Sequence, residues 1–512
     1  MSGSLSSPAQ TPSIQFTQVP AATTGFQVPG DYFEVVPGYG RQGVMPFPAR
    51  NLIIAQMTGA GTGSQWTLYQ NIVDPTVLRT LAGPGSQADR IVTAYLKVPS
   101  TIPLDVILTG HSLSSTQAFW TRTFTTPVTA PGTYAVNICG TRVTFNCLAG
   151  DSAEAQAGDL QSAINGNELL PVGASVTSVG GSWIVSCGDK TFGAESNAYV
   201  FLENPLPGDV LPAGMTAGGW TQTVQGAGNP TFAQAQALMQ GWWTDVLIPW
   251  SDSANLLAWE AEAERRYGAM VGKDVRGWYG FSGTLSQALA SAAGVNGKFC
   301  VQAGADGWQT EPYVVAAVLM AQVSASLLAD PSQQLKGIEL PGVVGPVYAN
   351  RWNDWTTQQP LLAGGVSTFT IDHVGTVYIQ KVVMTYSTSP SGAPDMSWHE
   401  VMDPAVNTRI RYDWTEYDKA VWGRAKLDAD GSAAAQANNG ICTPQRKKAS
   451  WATRYKLYAD LGWVTTANTD LADTLFWIDP NNQNRLNAKI YFTRIGNNEI
   501  NAGQFIYEVG AY

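Results

Sequence analysis

Apolar and polar positions fall into blocks whose period changes along the chain, and each change marks a new element or domain. Residues 1–30 are rich in Ser, Thr, Pro, Gln and Ala, with one short alternation, Ser13-Ile14-Gln15-Phe16-Thr17. This predicts an extended arm in which Ile14 and Phe16 share one face. From Asp31 the chain becomes strand-like (DYFEVV), crosses a Gly- and Pro-rich turn region, and enters a second apolar run from Asn51 to Met57. Residues 31–120 form the first part of a core, closing on the strand-like run in VILTGHSLSS, Val106 to Ser115.

Residues 121–229 have a different pattern. Tyr134, Val136 and Ile138 alternate, Cys139-Gly140 makes a two-residue turn, and Val143, Phe145 and Cys147 alternate again, which predicts a hairpin. Asp151 is placed to cap a helix running to about Ile164, and Ala174–Val179, Gly180-Gly181 and Ser182–Cys187 form a second hairpin. The segment reads as a compact ββαββ module, a β-rich domain inserted between Thr- and Pro-rich residues on one side and LPAGMTAGGWTQTVQGAGNP on the other.

After Pro230 strands and helices alternate. Asp245–Ile248 is a short strand, and Ser253 is placed to cap a helix whose Leu256, Trp259, Ala263 and Tyr267 share a face. A strand at Val275–Phe281, a helix at Thr284–Ala293, a strand at Phe299–Ala303 and a long helix from Glu311 follow. This order predicts an α/β core over residues 230–364, with a parallel sheet and helices packed on it. The strands TFTI and VYIQKVVMTY, joined at Asp372-His373-Val374-Gly375, open a further domain over residues 365–485. Residues 486–512 carry two more alternating stretches, Ala488, Ile490 and Phe492, then Phe505, Tyr507 and Val509. The expected fold is α/β in its core, α+β overall, and multidomain.

Composition narrows the function. Apolar residues make up 44% of the 512, but charged residues only 13%, roughly half the usual share. Together with 18 Trp and 19 Tyr, a surface so poor in charge is expected to be covered by a partner. Composition alone leaves two readings, a subunit of an assembly or a secreted carbohydrate-handling protein. The net charge of −10, from 39 acidic and 29 basic residues, argues against direct nucleic-acid binding. The N-terminus, MSGSLSSPAQTPS, has neither a basic nor an apolar leader region, so the chain is expected to be soluble and cytoplasmic when made. The most apolar window, Tyr313–Ala329, contains Gln322, Ser324 and Ser326 and is short for a membrane span. The five Cys lack CxxC spacing and are expected to be free, buried thiols.

Candidate chemistry fails residue by residue. Gly110-His111-Ser112-Leu113-Ser114 approaches a nucleophile elbow, but Ser114 stands where the strained turn needs glycine. Of three His, His111 lies inside that stretch, His373 adjoins Asp372 in a turn where neighbouring side chains point apart, and His399 stands alone. Gly38–Gly43 matches GxGxxG, yet Pro46 and Pro48 follow where a helix must open. In Gly268–Lys273 (GAMVGK) the glycines are one residue too close, and Asp274 replaces the Ser or Thr of a phosphate loop. No cofactor, metal site or catalytic set is predicted, although counting alone cannot exclude a pair of carboxylates acting on glycosides.

One charge pattern carries information. Thr443-Pro444 is a helix start, with Trp451, Tyr455 and Tyr458 as the apolar stripe behind it. Arg446, Lys447 and Lys448 occupy the first turn, where the macrodipole disfavours cations, and Arg454 and Lys456 follow on the same helix. The five are either a solvated face or a surface that meets an acidic partner.

Along the chain stand, in order, IQFTQVPAATTGFQVPGDYFEV from Ile14, RNLIIAQ, GAGNPTFAQAQALMQGWWTDVLIPWSDSANLLAWEAEAERRYG, LPGVVGP, GVSTFTIDHVGTVYIQKVVMTYSTSPSGAPDMSWHEV and RIRYDW. In these stretches and their order the chain resembles the contractile tail sheath proteins of bacteriophages, most closely the Mu-like type. GNNEINAGQFIYEVGAY stands where the family has its C-terminal arm. The resemblance implies a mechanical subunit forming stacked hexameric rings around a tail tube, joined to baseplate and tail terminator proteins, and contracting to drive the tube through a host envelope. It implies a place in the virion tail after assembly in the bacterial cytoplasm, and it transfers no catalytic residues. On this reading residues 1–30 and 486–512 are arms that add strands to neighbouring subunits, and the basic helix faces the tube. The alternative is a virion-associated carbohydrate-binding or hydrolytic tail protein; a tail spike of that kind would usually show repeats or a long all-β pattern.

Overall fold

A computed structural model describes residues 43–466, 468–500 and 502. The expected N-terminal arm, the strand at DYFEVV and the GxGxxG stretch up to Gln42 lie outside the described residues, as do Phe505, Tyr507 and Val509. The chain divides into a unit of residues 1–45 and a unit of residues 46–512; the account below concerns the second.

The first part of the core contributes β1 (Asn51–Gln56), β2 (Thr67–Tyr69), α1 (Pro75–Ala82), α2 (Gln87–Tyr95) and β3 (Leu104–Thr109). Every residue of β1 and β3 is buried, which explains why Leu52–Ala55 and Val106–Leu108 read as apolar runs without alternation: a strand covered on both faces has no polar face to alternate.

The chain then leaves the core through β4 (Phe119–Phe124), β5 (Gly132–Ile138), β6 (Thr141–Cys147), α3 (Ala153–Asn165), β7 (Val172–Val179), β8 (Ser182–Asp189), β9 (Phe201–Glu203) and β10 (Thr221–Val224). Both expected hairpins form. Cys139 and Gly140, and Gly180 and Gly181, all have positive φ, as a two-residue turn matched to strand twist requires. The two hairpins belong to different sheets, however: β6-β5-β9 is one and β10-β4-β8-β7 the other. Phe119, which starts β4, lies before the expected boundary at 121, and α3 is capped by Ser152. Asp151 instead accepts the Leu148 N–H at 2.6 Å.

The chain returns to the core with α4 (Phe232–Leu238), β11 (Asp245–Leu247), α5 (Ser253–Tyr267), β12 (Arg276–Ser282), α6 (Leu285–Val295), β13 (Cys300–Ala305) and α7 (Pro312–Ala329). The resulting sheet has the order β13-β12-β11-β1-β3-β2 and is parallel except for β2. β11 pairs with β1, Asn51 against Asp245, so one sheet is assembled from both sides of the excursion. Helix α5 starts at Asp252, whose side chain accepts the Asn255 N–H at 3.0 Å; Ser253 is its first helical residue. Among the described residues α7 is the only helix long and apolar enough to cross a membrane, and most of it is buried inside the fold. Gly280 makes that packing possible: a Cβ there would lie 1.9 Å from the Pro312 carbonyl oxygen.

The remaining elements are α8 (Trp355–Ala363), β14 (Thr368–Ile371), β15 (Val377–Lys381), α9 (Met402–Trp422), β16 (Lys426–Leu427), α10 (Ala433–Ala437), β17 (Ile441–Cys442), α11 (Pro444–Asp460), α12 (Asn468–Asp473), β18 (Leu475–Asp479) and β19 (Asn482–Lys489). The chain is thus a mixed α and β, multidomain protein, and its five cysteines are free and buried.

Candidate functional site

The basic helix α11 forms as its sequence predicts. Thr443 caps it, Pro444 occupies its first turn, and Trp451, Tyr455 and Tyr458 are buried. Its five cations divide into three kinds. Arg446 turns back from the helix end and donates to the carbonyls of Asn438 (2.9 Å), Ile441 (2.8 Å) and Ala435 (2.7 Å). That geometry takes the guanidinium away from the exposed N–H groups of the first turn and ties down the loop that precedes the helix. Lys447 pairs with Asp418 on α9.

Arg454 is buried, with its side chain only 2% exposed, and forms a two-pronged ion pair with Asp413 of α9, which also accepts the Tyr458 hydroxyl. It therefore joins α9 to α11 and presents no surface in this chain. Lys448 is half-buried and reaches the Ala472 carbonyl at 3.4 Å, and Lys456 is 74% exposed and paired with Asp460 at 3.2 Å. The helix thus offers Lys456 outward and Lys448 in part, while Arg446, Lys447 and Arg454 hold the fold together.

At the C-terminal end the expected strand over Ala488, Ile490 and Phe492 stops earlier than its alternation. β19 ends at Lys489 and is already paired, antiparallel, with β18 of the same chain, Phe476 facing Ala488. Ala488 is exposed, and Ile490 and Phe492 follow the strand half-buried. The described end is then anchored by charge: Arg494 donates to Asp403 at 2.6 Å, and Lys381 bridges Glu400 and Glu499, each at 2.6 Å.

The three histidines are not brought together. His111 stacks on Phe192 at 4.9 Å after β3, with Ser112 beside Ser114 in a turn and no helix behind it. Asp372 accepts the N–H groups of Val374 (3.0 Å) and Thr376 (2.8 Å), organising its own turn and leaving His373 aside. His399 is buried with Nδ1 2.9 Å from the Tyr386 carbonyl. In the GAMVGK stretch the backbone is spent internally, Gly272 donating to Gly268 and Lys273 to Arg266.

No family model matches the chain. Over 422 residues, 82% of this chain and 84% of the relative, it is 26% identical to the Mu-like prophage FluMu tail sheath protein of Haemophilus influenzae. The chain is similar to a phage tail sheath protein. Among solved structures, the sheath tail protein of Listeria innocua is 11% identical and superposes with a TM-score of 0.47 over 89% of this chain and 94% of that one. The sheath tail protein of Desulfitobacterium hafniense is also 11% identical, with a TM-score of 0.47 over 91% and 97%.

Proposed function

We propose that this chain is the structural subunit of a contractile phage tail sheath, located in the virion tail. The observation that carries this reading is the match to a tail sheath protein along more than four-fifths of both chains, in agreement with the resemblance read from the residues themselves. Assembly as stacked hexameric rings around a tail tube, attachment to baseplate and terminator proteins, and formation in the host cytoplasm belong to the same proposal. Its physical content is that the subunits are held by extended terminal arms, residues 1–30 and the segment after Lys489, which add strands to neighbours. Heterologous contacts of that kind propagate along an open helix.

The outward cations of α11, Lys448 and Lys456, are proposed to meet an acidic tube surface. Residues between Thr116 and Ala227 are proposed to form a separate outer domain, because those two residues close its base with a pair of backbone hydrogen bonds, 2.8 and 3.2 Å. Electron microscopy of the purified chain, alone and co-expressed with its tube protein, tests the reading. Rings or striated tubes are expected; a discrete trimer or a stable monomer under all conditions overturns it.

A further inference from the structure

The excursion is fastened to the core by a group of acids with no base among them. Glu195, in the short 3-10 turn Ala194–Ala198, accepts the backbone N–H of Ser251 at 2.8 Å and lies 3.1 Å from the Ser251 hydroxyl. Asn229, at the end of the excursion, donates one amide nitrogen to two carboxylates at once, Glu195 at 3.1 Å and Asp252 at 2.9 Å. The carbonyl side of the same amide accepts the Ala194 N–H at 2.9 Å. The two carboxylates are therefore no more than two hydrogen-bond lengths apart. Around them stand Ser251, Asn229 and Asn255 as donors; no lysine, arginine or histidine is hydrogen-bonded to or paired with either acid among the described residues.

Like charges at such a separation, on two half-buried side chains, disfavour each other. We propose that Glu195, Asn229 and Asp252 form a proton-controlled latch between the inserted segment and the start of α5, closed while the two carboxylates carry one negative charge and loosened when both are ionised. Asp252 caps α5, where the helix macrodipole favours a negative group, which leaves Glu195 as the member that takes the proton. The proton sits on a Glu195 oxygen and is donated to the Ser251 hydroxyl, whose own hydrogen is free to turn elsewhere.

Burial, and next to it the charge of Asp252, pushes Glu195 up to about 7, against the hydrogen bonds from Ser251 and Asn229 that work the other way. At the other end of the same segment Asp189 accepts the Ala118 N–H at 3.1 Å, and burial raises it to about 7 as well. The segment from Asp189 to Glu195 is thus held at both ends by carboxylates that prefer to be neutral, and ionising them works against both attachments.

Hydrogen exchange of the full-length soluble chain at about pH 5.5 and about pH 8.5, corrected for the intrinsic rate, reads the latch at the amides of Ala194 and Ser251. Protection there is expected to fall about tenfold on going to the higher pH in the wild type, and by less than about twofold in Glu195→Gln, which keeps the acceptor and cannot ionise. An equal fall in wild type and variant, or no fall in the wild type, overturns the proposal. If Glu195→Gln does not fold, Asp252→Asn serves: it keeps a capping oxygen but removes the neighbouring charge, and the midpoint of opening should move to lower pH. A midpoint that does not move also overturns it. Asp189→Asn is the control, expected to leave the transition at Ser251 in place.

Discussion

Arg454 shows how a residue type misleads when its surroundings are unknown. In sequence it is one more cation on a basic helix; in the fold it is a buried partner of Asp413. Removing one member of such a pair strands the other, so Arg454→Met is expected to destabilise the chain by about 3–5 kcal/mol, whereas Arg454→Met with Asp413→Leu should recover much of the loss. Denaturant titration of the soluble chain checks both. The outward lysines behave differently. Lys448→Glu with Lys456→Glu should leave stability nearly unchanged and weaken attachment to the tube protein at low salt, the difference from wild type shrinking as salt is raised. Unaltered co-assembly at low salt would mean that these lysines are only solvated.

Buried and half-buried carboxylates set the pH dependence. Asp189, Glu195 and Glu260 are pushed up to about 7, in each case by burial first. A raised carboxyl contributes most stability below its unfolded value of about 4 and loses it as pH climbs towards 7. Hydrogen bonds from Arg142 hold Asp209 at about 2; burial opposes the same shift at Glu262, but hydrogen bonds from Arg265 and Arg266 bring it to about 2. Their contribution is lost as pH falls from about 4 towards 2. The thermal midpoint should therefore peak near pH 4 to 5 and decline towards pH 8, with a flatter alkaline limb in Glu260→Gln; a midpoint that rises from pH 5 to 8 would contradict this assignment.

At the scale of elements, what was legible depended on how each element buries its faces. The hairpins at 134–147 and 174–187 were readable because alternation and turn chemistry agree, and Cys139-Gly140 and Gly180-Gly181 adopt the positive φ their turns require. The strands and helices from β11 to α7 were readable because apolar runs and helical stripes alternate cleanly. Helix α9 was not, although it runs for 21 residues. Its buried face is Met402, Val406, Ile410 and then Asp413, so its stripe ends in an ion pair that no hydrophobic pattern registers. The partition of the two hairpins between sheets was equally hidden, since it depends on β9 and β10, which are short and come from far along the chain. The same limit applied to β19, whose partner β18 lacks strict alternation, so the expected arm began inside an intramolecular hairpin. Truncation after Ile500 keeps that hairpin and the Lys381 bridge to Glu499. The truncated chain should stay folded and soluble, with an unchanged thermal midpoint, and should no longer polymerise; normal tubes would sink the arm proposal.

For the whole molecule, the inserted segment is tied to the core by more than its two connections. Tyr199 and Tyr313 join hydroxyl to hydroxyl at 2.8 Å, Gln56 donates to the Phe192 carbonyl at 3.0 Å, and Arg90, held by Glu311, reaches the Cys139 carbonyl at 3.3 Å. A single apolar cluster includes Ile138 and Tyr199 on one side and Tyr313 and Val314 on the other. A bare excision would therefore uncover apolar surface on α7, at about 25 cal/mol for each Å² exposed, and would leave the Tyr313 hydroxyl without its partner. The core sheet itself should survive, because β1, β3 and β11 to β13 all lie outside the excised residues and pair with one another. Removing residues 117–226 behind a short Gly/Ser link, together with Tyr313→Gln and Val314→Ser to make the uncovered face polar, is expected to give a folded chain that still assembles into tubes, of smaller outer diameter by microscopy. The same deletion without the two substitutions should be markedly less soluble. If the substituted deletion is insoluble as well, the segment is part of the core and not a domain placed upon it.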